Sequence, residues 1–226
     1  MLVLRRRPAV AGLLVVVTTL TVSCSANPQG ASSSESVSAS PAVSRLSSTL
    51  PTGWHRIDNR TIGLSIGVPR GWTDIDVNSA NVAEQLKQKF QGTPSEVAIV
   101  EKGAAELKGK KMLFIIDTHS IESGFTKNIS GLCVPNDGAP AEAFGNITKI
   151  QLARIGGQNV QADDVVIGGR PAVKASYTLE SSKGSIDAVQ FRILMPGDVA
   201  CAVTIGTRRG EMLPEVDQIG GTIRPL

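Results

Sequence analysis

Histidine and aromatic residues are scarce: the chain has two His, one Tyr, two Trp and five Phe in 226 residues. His55 and His119 stand alone, and no Cys or His pair has the spacing of a metal site. Glycine-rich phosphate loops are absent. Asp74-Ile75-Asp76 and Asp163-Asp164 lack the surroundings of a calcium loop and read as exposed loop acids. The sequence therefore predicts no cofactor and no metal. The thin aromatic content also weakens the idea of a large ligand-lined cavity, which places lipid or glycolipid carriage below partner binding.

An excess of charge is also missing from most of the chain. The whole sequence has 23 Lys+Arg against 20 Asp+Glu, but three of those arginines, Arg5, Arg6 and Arg7, lie in residues 1–23, which hold no acid. The remainder is formally neutral, so nucleic acid is not an expected partner. The clusters Lys108, Lys110, Lys111 and Arg208, Arg209 read as solvated surface.

What is present begins with an address. The three arginines precede an uncharged, mostly apolar run from Ala9 to Val22 that ends in Ser23-Cys24, the layout of a secretory signal peptide. The run is shorter than the ~20 apolar residues of a spanning helix. Ser, Asn, Gly and Pro follow it in place of a charged stop, and no twin-arginine context surrounds Arg5–Arg7, so the general secretory route is expected. A cysteine directly after the apolar core, preceded by a small residue, resembles the lipobox of bacterial lipoproteins. That resemblance implies lipidation of Cys24 and an extracytoplasmic protein held to the cell membrane. Cleavage after Cys24-Ser25-Ala26 is the alternative and would release it.

The organisation expected is a signal peptide over 1–23, a lipidated Cys24 with a flexible tether over 24–50, and a single α+β domain over 51–226. The tether is Ser, Ala, Pro, Asn and Gly, with too little apolar surface to offset the entropy of ordering.

Within the domain, Ile62, Leu64, Ile66 and Val68 alternate with smaller residues, predicting a half-buried strand. Asn78 or Ser79 caps an expected helix carrying Val82, Leu86 and Phe90. Thr93-Pro94-Ser95-Glu96 is a capping box opening a second helix to about Leu107. Met112–Ile116 is a short continuous apolar run, predicting a central strand covered on both faces. A strand over Ile129–Val134, a helix over Pro140–Ile155 and a short helix over Met212–Gln218 complete the minor elements. The triplets at Ile155, Ile167 and Ile219, each followed by Gly-Gly, read as turns or helix ends and not as repeats.

The clearest portion is a meander. Val173, Ala175, Tyr177 and Leu179 alternate on one strand, Val189, Phe191, Ile193 and Met195 on the next, and Val199, Cys201, Val203 and Ile205 on a third. Assigned to one side, these leave Lys174, Gln190 and Arg192 on a polar sheet face, the expected binding surface.

Gly63-Leu64-Ser65-Ile66-Gly67 running through Val68-Pro69 into Gly71-Trp72, with Gly169-Arg170-Pro171-Ala172 entering the strand of Tyr177, resembles the LpqN and LpqT type of mycobacterial lipoprotein over most of residues 54–226. That family has a PsbP-like fold, an antiparallel sheet flanked by helices. The resemblance implies a non-catalytic protein of an actinobacterial envelope whose partner is an envelope or host protein, a glycan or a lipid, and it supplies no catalytic residues. Residues 78–109 look more helical than the family pattern, and Cys133 and Cys201 lie outside it.

Two further motifs stand in the sequence. Gly63–Gly67 also matches the Gly-x-Ser-x-Gly elbow of serine hydrolases, but Ser65 sits in an alternating strand followed by Pro69 and not in a strand-to-helix turn. His119 and Asp117 lie two apart on one strand and cannot face each other as base and acid. Asn59, Asn128 and Asn146 each open an Asn-x-Ser/Thr triplet, read as chance matches. With Cys24 lipidated, Cys133 and Cys201 remain in a compartment that does not reduce thiols. They are expected to form one disulfide closing a loop of about 68 residues, worth ~4 kcal/mol in the simplest entropic account; a buried free thiol at Cys201 is the alternative.

Overall fold

The computed structural model describes residues 43–82, 84–85, 102, 105–120, 125–181 and 184–226. The signal peptide, Cys24 and most of the tether lie outside the described residues, as does much of the two helices expected between Ser79 and Leu107. Parts of those helices are described: residues 82, 84 and 85 are helical, as are 102 and 105–107. Ser79 Oγ accepts the Asn81 N–H at 3.2 Å, a capping contact at the start of the first.

The larger sheet has eight strands in the order β1-β7-β8-β9-β10-β6-β5-β4. These are β1 (Ser44–Arg45), β4 (Trp72–Asp74), β5 (Leu113–Asp117), β6 (Asn128–Pro135), β7 (Gln158–Ile167), β8 (Arg170–Ser181), β9 (Gly184–Met195) and β10 (Val199–Arg208). Every pairing is antiparallel except β1 with β7. A second sheet, β11-β3-β2, comprises β2 (His55–Asn59), β3 (Leu64–Val68) and β11 (Arg224–Pro225). With them stand α1 (Phe144–Arg154), entered through a 3-10 turn at Ala141–Ala143, and α2 (Val216–Gly221).

These elements follow from local chemistry. Phe144, Thr148 and Leu152 recur every four residues on the buried face of α1. Gly156 ends that helix at φ +88°, and the Gly157 N–H returns to the Leu152 carbonyl at 2.8 Å. The β9–β10 turn takes Gly197 and Asp198 at positive φ, which glycine and aspartate tolerate best.

The fold is α+β, as the alternation and helix signals predict. Both faces of the large sheet are covered, which corrects the expectation of a polar face left open for binding. On one side lies the main core: Leu64, Ile66 and Val68 of β3 and Ile219 of α2 pack against Val189, Phe191, Ile193, Val203 and Ile205. On the other, Phe144 and Leu152 of α1 pack against Val173, Ala200, Ala175, Tyr177 and Ala188.

Other differences have physical causes. The expected central strand is β5, fully buried from Leu113 to Ile116 but next to the edge strand β4. Its apolar run reflects cover on both faces and not a central position. β3 is buried at all five residues, not half-buried, because Gly67 lies against Leu50 and Thr222. Asp163 and Asp164 are exposed, yet they sit in β7 and not in a loop. The last Gly-Gly pair lies within α2, where small size permits close approach: a Cβ on Gly220 would clash with the tip of the Phe191 ring.

Candidate binding surface

The register of β8 against β9 decides the fate of the polar face. Lys174 stands across from Phe191, and Val173 from Arg192. Partners directly across an antiparallel pair share a face, so Lys174 points toward the main core side and Arg192 toward α1. The three side chains read from alternation as one surface do not form one.

Nor are they solvent-facing as a set. Gln190 and Arg192 are 2% and 3% exposed. Gln190 Nε2 donates to Thr204 Oγ1 at 3.0 Å. Arg192 Nη1 donates to Thr148 Oγ1 at 3.3 Å, and its Nη2 donates to Gln151 Oε1. Both acceptors belong to α1, and burial pulls the guanidinium down to about pKa 10. Lys174 keeps partial access, and its Nζ meets the Asp217 carboxylate of α2 at 2.6 Å. A polar stripe in sequence is here divided between two covered faces, with Gln190 bonded to β10, Arg192 to α1 and Lys174 to α2.

Cys133 and Cys201 form a disulfide. They are direct partners in the β6–β10 register, with Cα atoms 4.0 Å apart. Cys201 faces the main core in phase with Val203 and Ile205, as its alternation implies.

Ser65 is fully buried within β3. Its Oγ accepts from Arg56 Nη1 at 3.4 Å, and the same nitrogen donates to the Thr222 carbonyl at 3.1 Å. Burial, with Arg224 nearby, lowers the Arg56 pKa while Asp58 opposes the shift. A guanidinium donor cannot take a proton from a serine, so the elbow motif lacks its base here. His119, the other partner considered, has a side chain 79% exposed and lies 3.6 Å from Asp117. Among the described residues no group of three or more His, Cys, Asp or Glu could hold a metal ion.

Sequence reasoning missed two features. One is β7, whose polar composition hides a strand. The other is an open cleft bordered by Val43, Arg45, Glu142, Asp164, Val165 and Pro171, beside β1 where the chain leaves the tether. Its walls come from three separated segments, so nothing in the local pattern could have brought them together.

No family model and no curated protein matches the sequence. Solved structures of similar shape include a cyanobacterial PsbP from Synechocystis at 12% identity, covering 85% of this chain and 98% of that one with a TM-score of 0.46. LpqN of Mycobacterium tuberculosis, described as involved in cell envelope biogenesis, is similar at 10% identity over 68% of this chain and 76% of that one, TM-score 0.40. A Bacteroides thetaiotaomicron protein is similar at 9% identity and TM-score 0.45, over 77% of this chain, which spans only 49% of that protein.

Proposed function

We propose that this is a lipid-anchored, extracytoplasmic binding or accessory protein of a bacterial cell envelope, working without catalysis. The observation that carries the reading is the sequence Leu20–Cys24 followed by a Ser/Ala/Pro tether. Inside the stretch expected as tether (24–50), β1 pairs with β7 at the edge of the large sheet through Ser44 and Arg45, so ordered structure begins before residue 51. A chain held at Cys24 would thus present the domain by its β7 edge, with the cleft beside β1 next to the point of attachment. The LpqN comparison is consistent with an envelope setting. The partner is an envelope or host protein, a glycan or a lipid.

The buried Ser65, bonded to Arg56, supports the non-catalytic reading over a serine hydrolase. Metabolic labelling with a palmitate analogue should mark the protein, and Cys24→Ala should abolish both the label and membrane retention. Labelling unchanged in that variant would overturn the anchor. A fluorophosphonate probe should leave the protein unlabelled; stoichiometric labelling lost on Ser65→Ala would restore the hydrolase.

A further inference from the structure

At its β1 end the large sheet floors the open cleft, whose volume is about 470 Å³. Arg45 stands across from Val166 in the β1–β7 pair, and Val166 across from Pro171 in the β7–β8 pair. Partners across a pleated sheet share a face, as do residues two apart on a strand, so Arg45, Val166, Pro171 and Asp164 all lie on one side. It is the α1 side, because Val173, the partner of Asp164, packs with Phe144. Glu142, in the 3-10 turn that leads into α1, also borders the cleft.

The apolar part of this cleft is left open: Val43, which lines it with Val166 and Pro171, is 51% exposed. Its charges are left unmated. Arg45 and Asp164 are diagonal neighbours on one face, a separation of about 7–8 Å that a long side chain can span. Yet neither they nor Glu142 enter any of the ion pairs among the described residues. One cation and two carboxylates therefore stand around an apolar gap without meeting one another.

Those features select the ligand. A simple anion would meet two carboxylates, a simple cation would meet Arg45, and an uncharged apolar molecule would strip water from all three charges without replacing it. Among the described residues no aromatic ring lines the cleft, so the stacking platform that suits a nucleobase is missing. A zwitterion satisfies both signs. Its carboxylate matches the guanidinium fork of Arg45 in a two-oxygen pair, its ammonium donates to Asp164 and Glu142, and an aliphatic side chain covers Val43, Val166 and Pro171. The volume falls within the ~300–1,000 Å³ range of ligand pockets, room for a dipeptide and more than a free amino acid needs.

We infer that the cleft beside β1 binds a short zwitterionic peptide with small aliphatic side chains, its carboxylate on Arg45 and its ammonium on Asp164 and Glu142. This goes beyond the envelope reading and is independent of it, since the peptide can bind whether or not Cys24 is lipidated.

The test is ligand-observed saturation-transfer NMR on the full-length protein with L-alanyl-L-leucine, at constant ionic strength. A saturable signal is expected, strongest on the leucine methyls. Acetylating the amine or amidating the carboxylate should each weaken affinity roughly tenfold, the loss of one charge-assisted contact. Arg45→Gln should abolish the preference for carboxylate over amide and keep the preference for free amine over acetyl. Glu142→Gln with Asp164→Asn should do the reverse, so the end of the ligand that each variant still recognises reports that the cleft remains formed. Absence of a saturable signal would overturn the proposal. So would equal affinity for the three ligands, or end-group preferences unchanged in both variants.

Discussion

Arg192 and Val173 stand opposite each other across β9 and β8, so the arginine shares its face with an apolar neighbour and not with Lys174. The two cations read as one surface therefore experience different surroundings, and their substitutions should have separate consequences.

Lys174→Ala removes a partly exposed ion pair with Asp217. Such pairs contribute up to about 1 kcal/mol, and a shift of that size in the denaturant midpoint is expected. Arg192→Ala empties buried volume under α1 and should cost about 2–4 kcal/mol. Arg192→Met fills the volume and removes the uncompensated charge, so it should lie within about 1 kcal/mol of the parent or exceed it. With no shared partner, the Lys174→Ala and Arg192→Ala effects should add to within ~0.5 kcal/mol. Equilibrium unfolding of the four variants tests each value; equal losses in Arg192→Ala and Arg192→Met would show that the charge matters more than the stem.

Cys133 and Cys201 should be resistant to iodoacetamide in denaturant until a reductant is added, as intact mass will show. Cys133→Ala with Cys201→Ala should lower stability by about 2–4 kcal/mol, because the bridge closes a loop of 68 residues.

Two helical glycines should respond in opposite directions. Gly220→Ala drives a methyl against the tip of the Phe191 ring and should cost about 1–3 kcal/mol. On α1, Gly145→Ala meets nothing closer than Asp164 Oδ1 at 3.8 Å. It should gain about 0.5–1 kcal/mol from helix propensity. Thermal melts of the two variants decide it.

Tyr177 gives an alkaline signature. Burial raises its pKa well above the ordinary phenol value, with a contact to Thr204 opposing only in part. The folded state therefore keeps a proton that the unfolded chain releases near pH ~10. Stability conferred by the neutral phenol is fully present below that pH and declines as pH rises beyond it. Tyr177→Phe should flatten this decline in unfolding free energy between pH ~9 and ~11, while leaving the neutral-pH value nearly unchanged.

Elements with strong local signals were legible in the sequence. The apolar run 112–116, the helix expected over Pro140–Ile155 and the alternation through residues 173–205 each found their element. β7 was not legible, because Gln158, Asn159, Gln161, Asp163 and Asp164 are exposed and leave no apolar alternation. The binding face failed for a different reason. Alternation tells which residues of one strand share a side, but only register tells which side that is on the neighbour. Ser181 pairing with Gly184 across the hairpin turn puts Leu179 with Ile186 and so Val173 with Arg192, a phase opposite to the one that grouping Val173 with Phe191 assumes.

Asn78 offers a practical handle. Its side chain accepts the Gly109 N–H at 2.7 Å and donates to the Lys110 carbonyl at 2.9 Å, so one amide imitates a strand partner for the returning chain. The two ends of the segment between them are therefore held together by the domain itself. For protein engineering this marks a junction to preserve: a tag introduced between the two ends should leave Asn78 and Gly109 in place and keep Leu107, which is 2% exposed and belongs to the core.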